Sequence, residues 1–208
     1  MSPPSAFPDA AETWNRRYAG EAFLFGTEPN TWLSEHVGAL PAGGRVLCVA
    51  DGEGRNSVWL AQRGLQVDAF DVADRAVAKA QAFAQRQGVT VNYAVADVDS
   101  FDWRPAAYDG VAAIFVQFAD PDTRARLFER IVKSLKPGGV LILQGYTPKQ
   151  LEYRTGGPPL LSHLYTRELL DSAFAELSII ELRDYEAEVR EGQGHSGHSA
   201  LIGLVARR

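Results

Sequence analysis

Residues 45–56 read RVLCVADGEGRN, an apolar run that passes directly into a turn holding two glycines. The run Val46 to Ala50 is continuously apolar rather than alternating, as expected of a strand covered on both faces of a parallel sheet. In the turn, glycines remove side chains so that backbone can approach a ligand, and the helix that follows opens with unpaired N–H groups. A tight turn with no ligand is the alternative at this point.

Outward from this stretch, short apolar runs alternate with segments of helical periodicity. Strands are expected over Arg45 to Ala50, Gln66 to Asp71, Thr90 to Ala96, Tyr108 to Phe115 and Val140 to Gly145. Helices are expected over Asn56 to Arg63, Ala73 to Gln87 and Asp122 to Leu135, the last stopped by Lys136-Pro137-Gly138-Gly139. Such alternation means a doubly wound α/β sheet. The rhythm then changes: a helix over Thr166 to Phe174 precedes two strand-like runs, Leu177 to Arg190 and Ala200 to Ala206, joined by EGQGHSGHS in a hairpin.

Before the first strand, Thr31 to Leu40 reads as a helix. The preceding WNRRYAGEAFLFGTEPN is rich in aromatics, glycine and proline rather than periodic, and reads as a lid. Residues 1–30 are therefore expected to form a cap on residues 31–208, the two making one structural unit. There is no internal repeat, low-complexity tract or dividing linker.

The chain of 208 residues, 46% hydrophobic and 23% charged, suits one domain with a single sizeable core. A net charge of −5 with scattered basic residues disfavours nucleic acid or an anionic membrane as partner. No apolar stretch is long enough to span a bilayer and the N-terminus lacks a signal-like pattern, which points to the cytoplasm. The single cysteine, Cys48, lies inside the first apolar run and is expected to pack as a small hydrophobe.

In an open α/β sheet, ligands bind beyond the carboxyl ends of the strands where strand order reverses, so the residues after each strand carry the chemistry. Asp71 ends the second strand nineteen residues after Gly52, where an acid accepts hydrogen bonds from ribose hydroxyls. Its alternative role is a helix cap. Ala96-Asp97-Val98 ends the third strand, where a carboxylate can accept from an adenine amine while Val98 covers the ring, a plain turn aspartate being the other reading. Phe115-Val116-Gln117-Phe118 ends the fourth, its aromatics suiting an apolar pocket wall, with core packing as the alternative for Phe115.

With these residues in place, the chain resembles class I S-adenosylmethionine-dependent methyltransferases, and within them the small tellurite-resistance-type and thiopurine-methyltransferase-like group. The resemblance runs from about Trp14 to the C-terminus. It rests on WNRRYAGEAFLFGTEPN, VADGEGRNSVWLA, the LKPGG turn and the terminal strand pair. A nicotinamide-binding domain would want a third glycine at Ser57, a second substrate domain and a Tyr-x-x-x-Lys or similar unit, none of which the sequence offers.

The resemblance implies a Rossmann-like, seven-stranded, mostly parallel sheet with an antiparallel last strand, and S-adenosylmethionine as cofactor. It puts the methionine moiety by Gly52 and Gly54, the ribose on Asp71 with Val72 beside it, and adenine by Ala96, Asp97 and Val98, with Phe115 as a wall. Trp14, Tyr18 and Gly26 would close over the cofactor. The chain departs from the broader class at Ala50, where an acid is usual, and at Asn56, where a third glycine is usual. The ammonium of the methionine end is left to Asp51, Glu53 or water.

The acceptor is expected to be a small molecule, a thiol, metalloid, amine or hydroxyl, and the protein a monomer or homodimer. The cap, the segment after the fifth strand and the hairpin should surround the acceptor, bringing in Tyr18, Tyr146, Tyr153, His163, Tyr165, His195 and His198. The long irregular TPKQLEYRTGGPPLLSHLYT is expected to cover it. His195 is the candidate general base, a solvated loop histidine being the alternative. A metal held by His195 and His198 is not expected, since no further ligand lies near them in sequence. A cofactor-binding protein that has lost catalysis remains the competing function, and a nicotinamide oxidoreductase a more distant one.

Overall fold

The computed structural model describes residues 9–208; the first eight residues of the expected cap lie outside this range. Five strands run parallel: β1 (Arg45–Val49), β2 (Gln66–Asp71), β3 (Asn92–Val95), β4 (Tyr108–Ile114) and β5 (Leu135–Tyr146). A long hairpin, β6 (Ser178–Glu191) and β7 (His195–Arg207), completes a seven-stranded sheet of order β3-β2-β1-β4-β5-β7-β6. β7 runs antiparallel to both β5 and β6. Strand order reverses between β1 and β4, so their carboxyl ends flank a crevice.

The uninterrupted apolar character of β1 now has its cause. Leu47 and Val49 join the core on one face of the sheet, whereas Val46 and Cys48 join the core on the other. Both faces are covered by helices: α3 (Arg55–Gln62), α4 (Asp74–Arg86), α5 (Pro121–Ser134) and α7 (Arg167–Ala173). α5 starts where it does because Asp120 accepts the Thr123 N–H at 2.8 Å and Pro121 fills the first turn, where its missing N–H costs nothing.

Several boundaries differ from the sequence reading. The aromatic N-terminal stretch is not wholly irregular: α1 (Ala10–Arg17) carries Trp14 and docks on α4 through Asn15, whose Nδ2 donates to Asp74 at 2.6 Å. The helix expected over Thr31 to Leu40 is α2 (Thr31–His36) followed by a 3-10 turn, Val37–Ala39. LKPGG is not only a helix stop. Leu135 already pairs with Tyr108, and an irregularity in register follows before Val140 pairs with Gly110. The segment after β5 holds one helical turn, α6 (Gln150–Tyr153), and a 3-10 turn at Leu161–His163.

The largest difference is at the hairpin. EGQGHSGHS is not a loop, because pairing continues outward to Glu191↔His195 and only residues 192–194 turn the chain. The turn is clamped to the cap: Gln193 and Gly194 both donate N–H to Leu24 O, at 2.9 and 3.0 Å. Among the described residues, no helix is long and apolar enough to cross a membrane.

Candidate functional site

A cavity, open at its mouth, lies at the carboxyl ends of β1, β2 and β4. Twelve of the fourteen residues nominated from sequence line it. Trp14 and Tyr18 come from the cap, stacked at 5.6 Å. Asp51, Gly52 and Asn56 come from the turn after β1, and Asp71 and Val72 from the end of β2. Ala96, Asp97 and Val98 follow β3, Phe115 follows β4, and His195 begins β7.

Gly26 and Gly54 are not brought to this cavity. Gly26 lies in the strap against Gly192 and borders a neighbouring cleft. Gly54 has φ +91° and a Cβ there would fall 2.8 Å from the Ala80 Cβ, so its missing side chain lets α3 and α4 approach. Gly52 does face the cavity, at φ +63°, with the Tyr18 hydroxyl packed where a Cβ would sit.

The turn is pinned by Asp71. One carboxylate oxygen accepts the Gly52 N–H and the other the Ala73 N–H, both at 2.9 Å, so Asp71 supports the start of α4 while bordering the cavity. Burial pushes its carboxyl up to about 6. Asp51 is pushed further, to about 7, again by burial, although Ser57 donates both its N–H and its hydroxyl to it. Glu53 points elsewhere: its carboxylate accepts the Leu24 N–H at 2.7 Å and pairs with Lys79. Of the two acids considered for an ammonium, geometry thus brings Asp51 to the cavity. Asp97 is the turn aspartate that sequence allowed, Oδ1 accepting N–H from Asp99 and Ser100 and the Ser100 hydroxyl, while the residue also borders the cavity rim.

A buried network missed in the sequence joins the turn, the cap and the hairpin. Asn56 Oδ1 accepts the Asn30 N–H at 2.9 Å, and Asn30 Nδ2 donates to Gln144 and Glu191. Arg55 Nη2 donates to Glu191 Oε2 at 2.7 Å. His195 Nδ1 lies 3.5 Å from the same oxygen. The signal was available in the symmetry of Glu191 and His195 about a Gly-Gln-Gly turn, which a hairpin pairs across the tip. Arg55 carried no comparable signal, because its partner is 136 residues away.

His195 is therefore not a solvated loop histidine. It packs against Phe25, Phe115 and Tyr146 with ring centroids at 4.4, 4.5 and 5.7 Å, and burial lowers its pKa from 6.5. It also borders a second chamber walled by Trp14, Phe25, Phe115, Phe118 and Tyr146, with Gly156, Gly157 and Pro158 from the long segment, and Arg17. The two cavities meet at His195.

Of the remaining candidates around an acceptor, Tyr146 lines this chamber and Tyr18 the first cavity. His163 and Tyr165 do not reach either. Both are fully buried, His163 donating from Nδ1 to Gln117 O at 2.9 Å. Tyr153 and His198 sit on the outside of the hairpin, both bonded to Glu186.

Residues 46–139 match a family model described as a methyltransferase domain. The chain is 36% identical over 104 residues to a ubiquinone biosynthesis O-methyltransferase of Xanthomonas axonopodis pv. citri, a match covering 50% of this chain and 43% of that protein. The chain thus spans less than half the length of that curated relative. Among solved structures it is similar to TehB from Haemophilus influenzae, with TM-score 0.69 and 15% identity over 95% of this chain and 66% of that one. It is equally similar to the N-methyltransferase NodS from Bradyrhizobium japonicum WM9 in complex with S-adenosyl-L-homocysteine, with TM-score 0.69, 16% identity, and 97% and 99% of the two chains covered. These structures speak to the fold.

Proposed function

We propose that this chain, whose residues 46–139 match a methyltransferase domain, is a class I S-adenosylmethionine-dependent methyltransferase that transfers a methyl group to a small, flat hydroxyl or thiol compound held in the aromatic chamber beside His195. The cofactor supplies an electrophilic methyl group when bound, so the protein's tasks are to hold the acceptor in line, exclude water and remove a proton. The observation that carries this reading is the position of His195 on the wall shared by the two cavities.

The larger cavity suits the cofactor chemically. Asp51, Asp71 and Asp97 outnumber Arg55 around it, a balance that favours a ligand with a cationic sulfonium. Asp71 borders it as an acceptor for ribose hydroxyls, and Asp97 and Val98 border it as an adenine rim. Residues 1–30 act in this reading as a cap on residues 31–208, with Trp14 and Tyr18 closing one side.

Aromatic walls favour a planar acceptor, and a neutral histidine suits one that must lose a proton as it attacks. A carboxylate 3.5 Å from Nδ1, too far for a hydrogen bond here, favours the proton on that nitrogen and leaves Nε2 as the base. The O-methyltransferase name of the relative agrees with a hydroxyl acceptor.

Transfer of labelled methyl from the cofactor into panels of phenols, aromatic thiols, amines and metalloid oxyanions tests the reading. Turnover confined to the phenols or thiols, lost in His195→Ala, is expected. Turnover of amines or metalloids alone would redirect the acceptor class, and tight cofactor binding with no turnover of any compound would make the chain a binding protein instead.

A further inference from the structure

We infer that Arg17 selects acceptors that carry a carboxylate, so that the chamber beside His195 takes a planar aryl carboxylate bearing the hydroxyl or thiol to be methylated. The inference rests on the methyl-transfer reading above and narrows its acceptor.

The chamber differs from the neighbouring cavity in charge. Asp51, Asp71 and Asp97 border the cavity. Among the described residues that line the chamber there is no Asp or Glu, and Arg17 is the one guanidinium or ammonium. The other hydrogen-bonding amide in the wall, Gln117, is already committed: its Nε2 donates to Tyr146 O and His163 O, and its Oε1 accepts the Tyr146 N–H. An acceptor that needs a polar anchor away from His195 therefore finds it in Arg17.

Arg17 closes α1, and its guanidinium carbon lies 4.4 Å from the centroid of the Trp14 ring and 6.0 Å from that of Phe25. Cation–π contact holds the head group against the aromatic wall without using an acceptor. Among the described residues no hydrogen bond or ion pair ties Arg17, whereas its neighbour Arg16 pairs with Glu12 at 2.8 Å. The Arg17 side chain is exposed, so its N–H donors are open to a ligand. Burial foremost lowers the His195 pKa and the charge of Arg17 adds to it, so the cation and the proposed base act on one space. A planar fork of donors matches a carboxylate in paired parallel bonds, which a neutral amide cannot reproduce. The arene then fills the aromatic chamber, its carboxylate meeting Arg17 and its hydroxyl or thiol facing His195.

Steady-state kinetics with labelled S-adenosylmethionine should compare hydroxybenzoates and mercaptobenzoates with the matching amides, which keep the shape and lose the charge. In the wild type kcat/KM should favour the carboxylates by at least about fivefold, mainly through KM, a value between that of an exposed ion pair and that of a charge-assisted hydrogen bond. In Arg17→Gln the ratio should fall to within about twofold, and Arg17→Lys should restore part of it, because the charge returns without the fork. Comparing ratios between variants cancels the intrinsic difference in reactivity between acid and amide. A cation that served only to complement the last turn of α1 would leave the ratio unmoved. A preference retained in Arg17→Gln, no preference in the wild type, or turnover of plain phenols without turnover of the carboxylates would overturn the role of Arg17 and leave methyl transfer standing. Turnover of no arene in any series would overturn the methyl-transfer reading and this inference with it.

Discussion

Glu191 Oε2 and His195 Nδ1 face each other at 3.5 Å across the tip of the C-terminal hairpin, their side chains 10% and 12% exposed. The strand register itself makes the pair. Burial works to raise the Glu191 carboxyl, but His195 and Arg55 outweigh it and hold it at about 2, so it stays anionic. Burial lowers His195, and Glu191 partly restores it.

From this pair, His195→Ala should lose roughly 10²–10⁴ in kcat, the usual contribution of a general base, with cofactor affinity little changed. Glu191→Gln should lower kcat less and also move the acid limb of kcat/KM to lower pH, because the group that raises the His195 pKa is gone. An unmoved limb would mean that Glu191 only holds the hairpin together. Steady-state pH profiles check both.

Asp71→Asn keeps the size of the side chain and can still accept one of the two N–H bonds from Gly52 and Ala73. It loses the charged acceptor proposed for ribose, a difference of about 1.5–3 kcal/mol, so cofactor affinity should fall at least about tenfold by calorimetry. Unchanged affinity would leave Asp71 with its backbone role alone.

Asp51 predicts an unusual pH dependence of stability. Its carboxyl is raised from 3.8 to about 7 in the folded protein, so between those values the folded state keeps a proton that the unfolded state has released. Stability must then fall as pH rises through that window and level off above it. Asp71, raised to about 6, adds the same sign. Asp51→Asn removes its share, so the melting temperature of the variant relative to wild type should climb from pH 4 to pH 7 and then flatten. A difference that is constant with pH would show that Asp51 ionises normally.

Gly54→Ala tests packing rather than binding. A Cβ there meets Ala80 at 2.8 Å on a backbone at φ +91°. A loss of about 1–3 kcal/mol is expected from strain and overpacking, read as a lower urea midpoint at constant m-value. An unshifted midpoint would mean that α3 and α4 separate freely.

The parallel sheet was legible because the central stretches Val46–Val49 of β1, Val111–Ile114 of β4 and Val140–Leu143 of β5 are covered on both faces and are apolar throughout, a pattern that needs no knowledge of partners. Most of the cavity residues were legible for a related reason: Asp51, Gly52, Asn56, Asp71, Val72, Ala96 to Val98 and Phe115 lie at or just after strand ends, which converge at the reversal of order, whereas Trp14 and Tyr18 came from the resemblance alone. What escaped depends on contacts between distant segments. Arg55 and Asn30 acquire their roles only when the hairpin delivers Glu191. His163 and Tyr165 looked accessible beside the acceptor segment, yet Gln117 draws that segment inward by donating to Tyr146 O and His163 O, which buries both. Gly54 shares the glycine turn with Gly52 but faces α4 because successive turn residues point to different sides.

The identity of the cofactor is tested most directly by titrating the protein with S-adenosylmethionine and NADH in parallel. One equivalent of S-adenosylmethionine should bind, with affinity weakened at least about tenfold in Asp71→Asn, and NADH should give no saturable heat. Binding of NADH with none of S-adenosylmethionine would contradict the assignment of the cavity between β1 and β4.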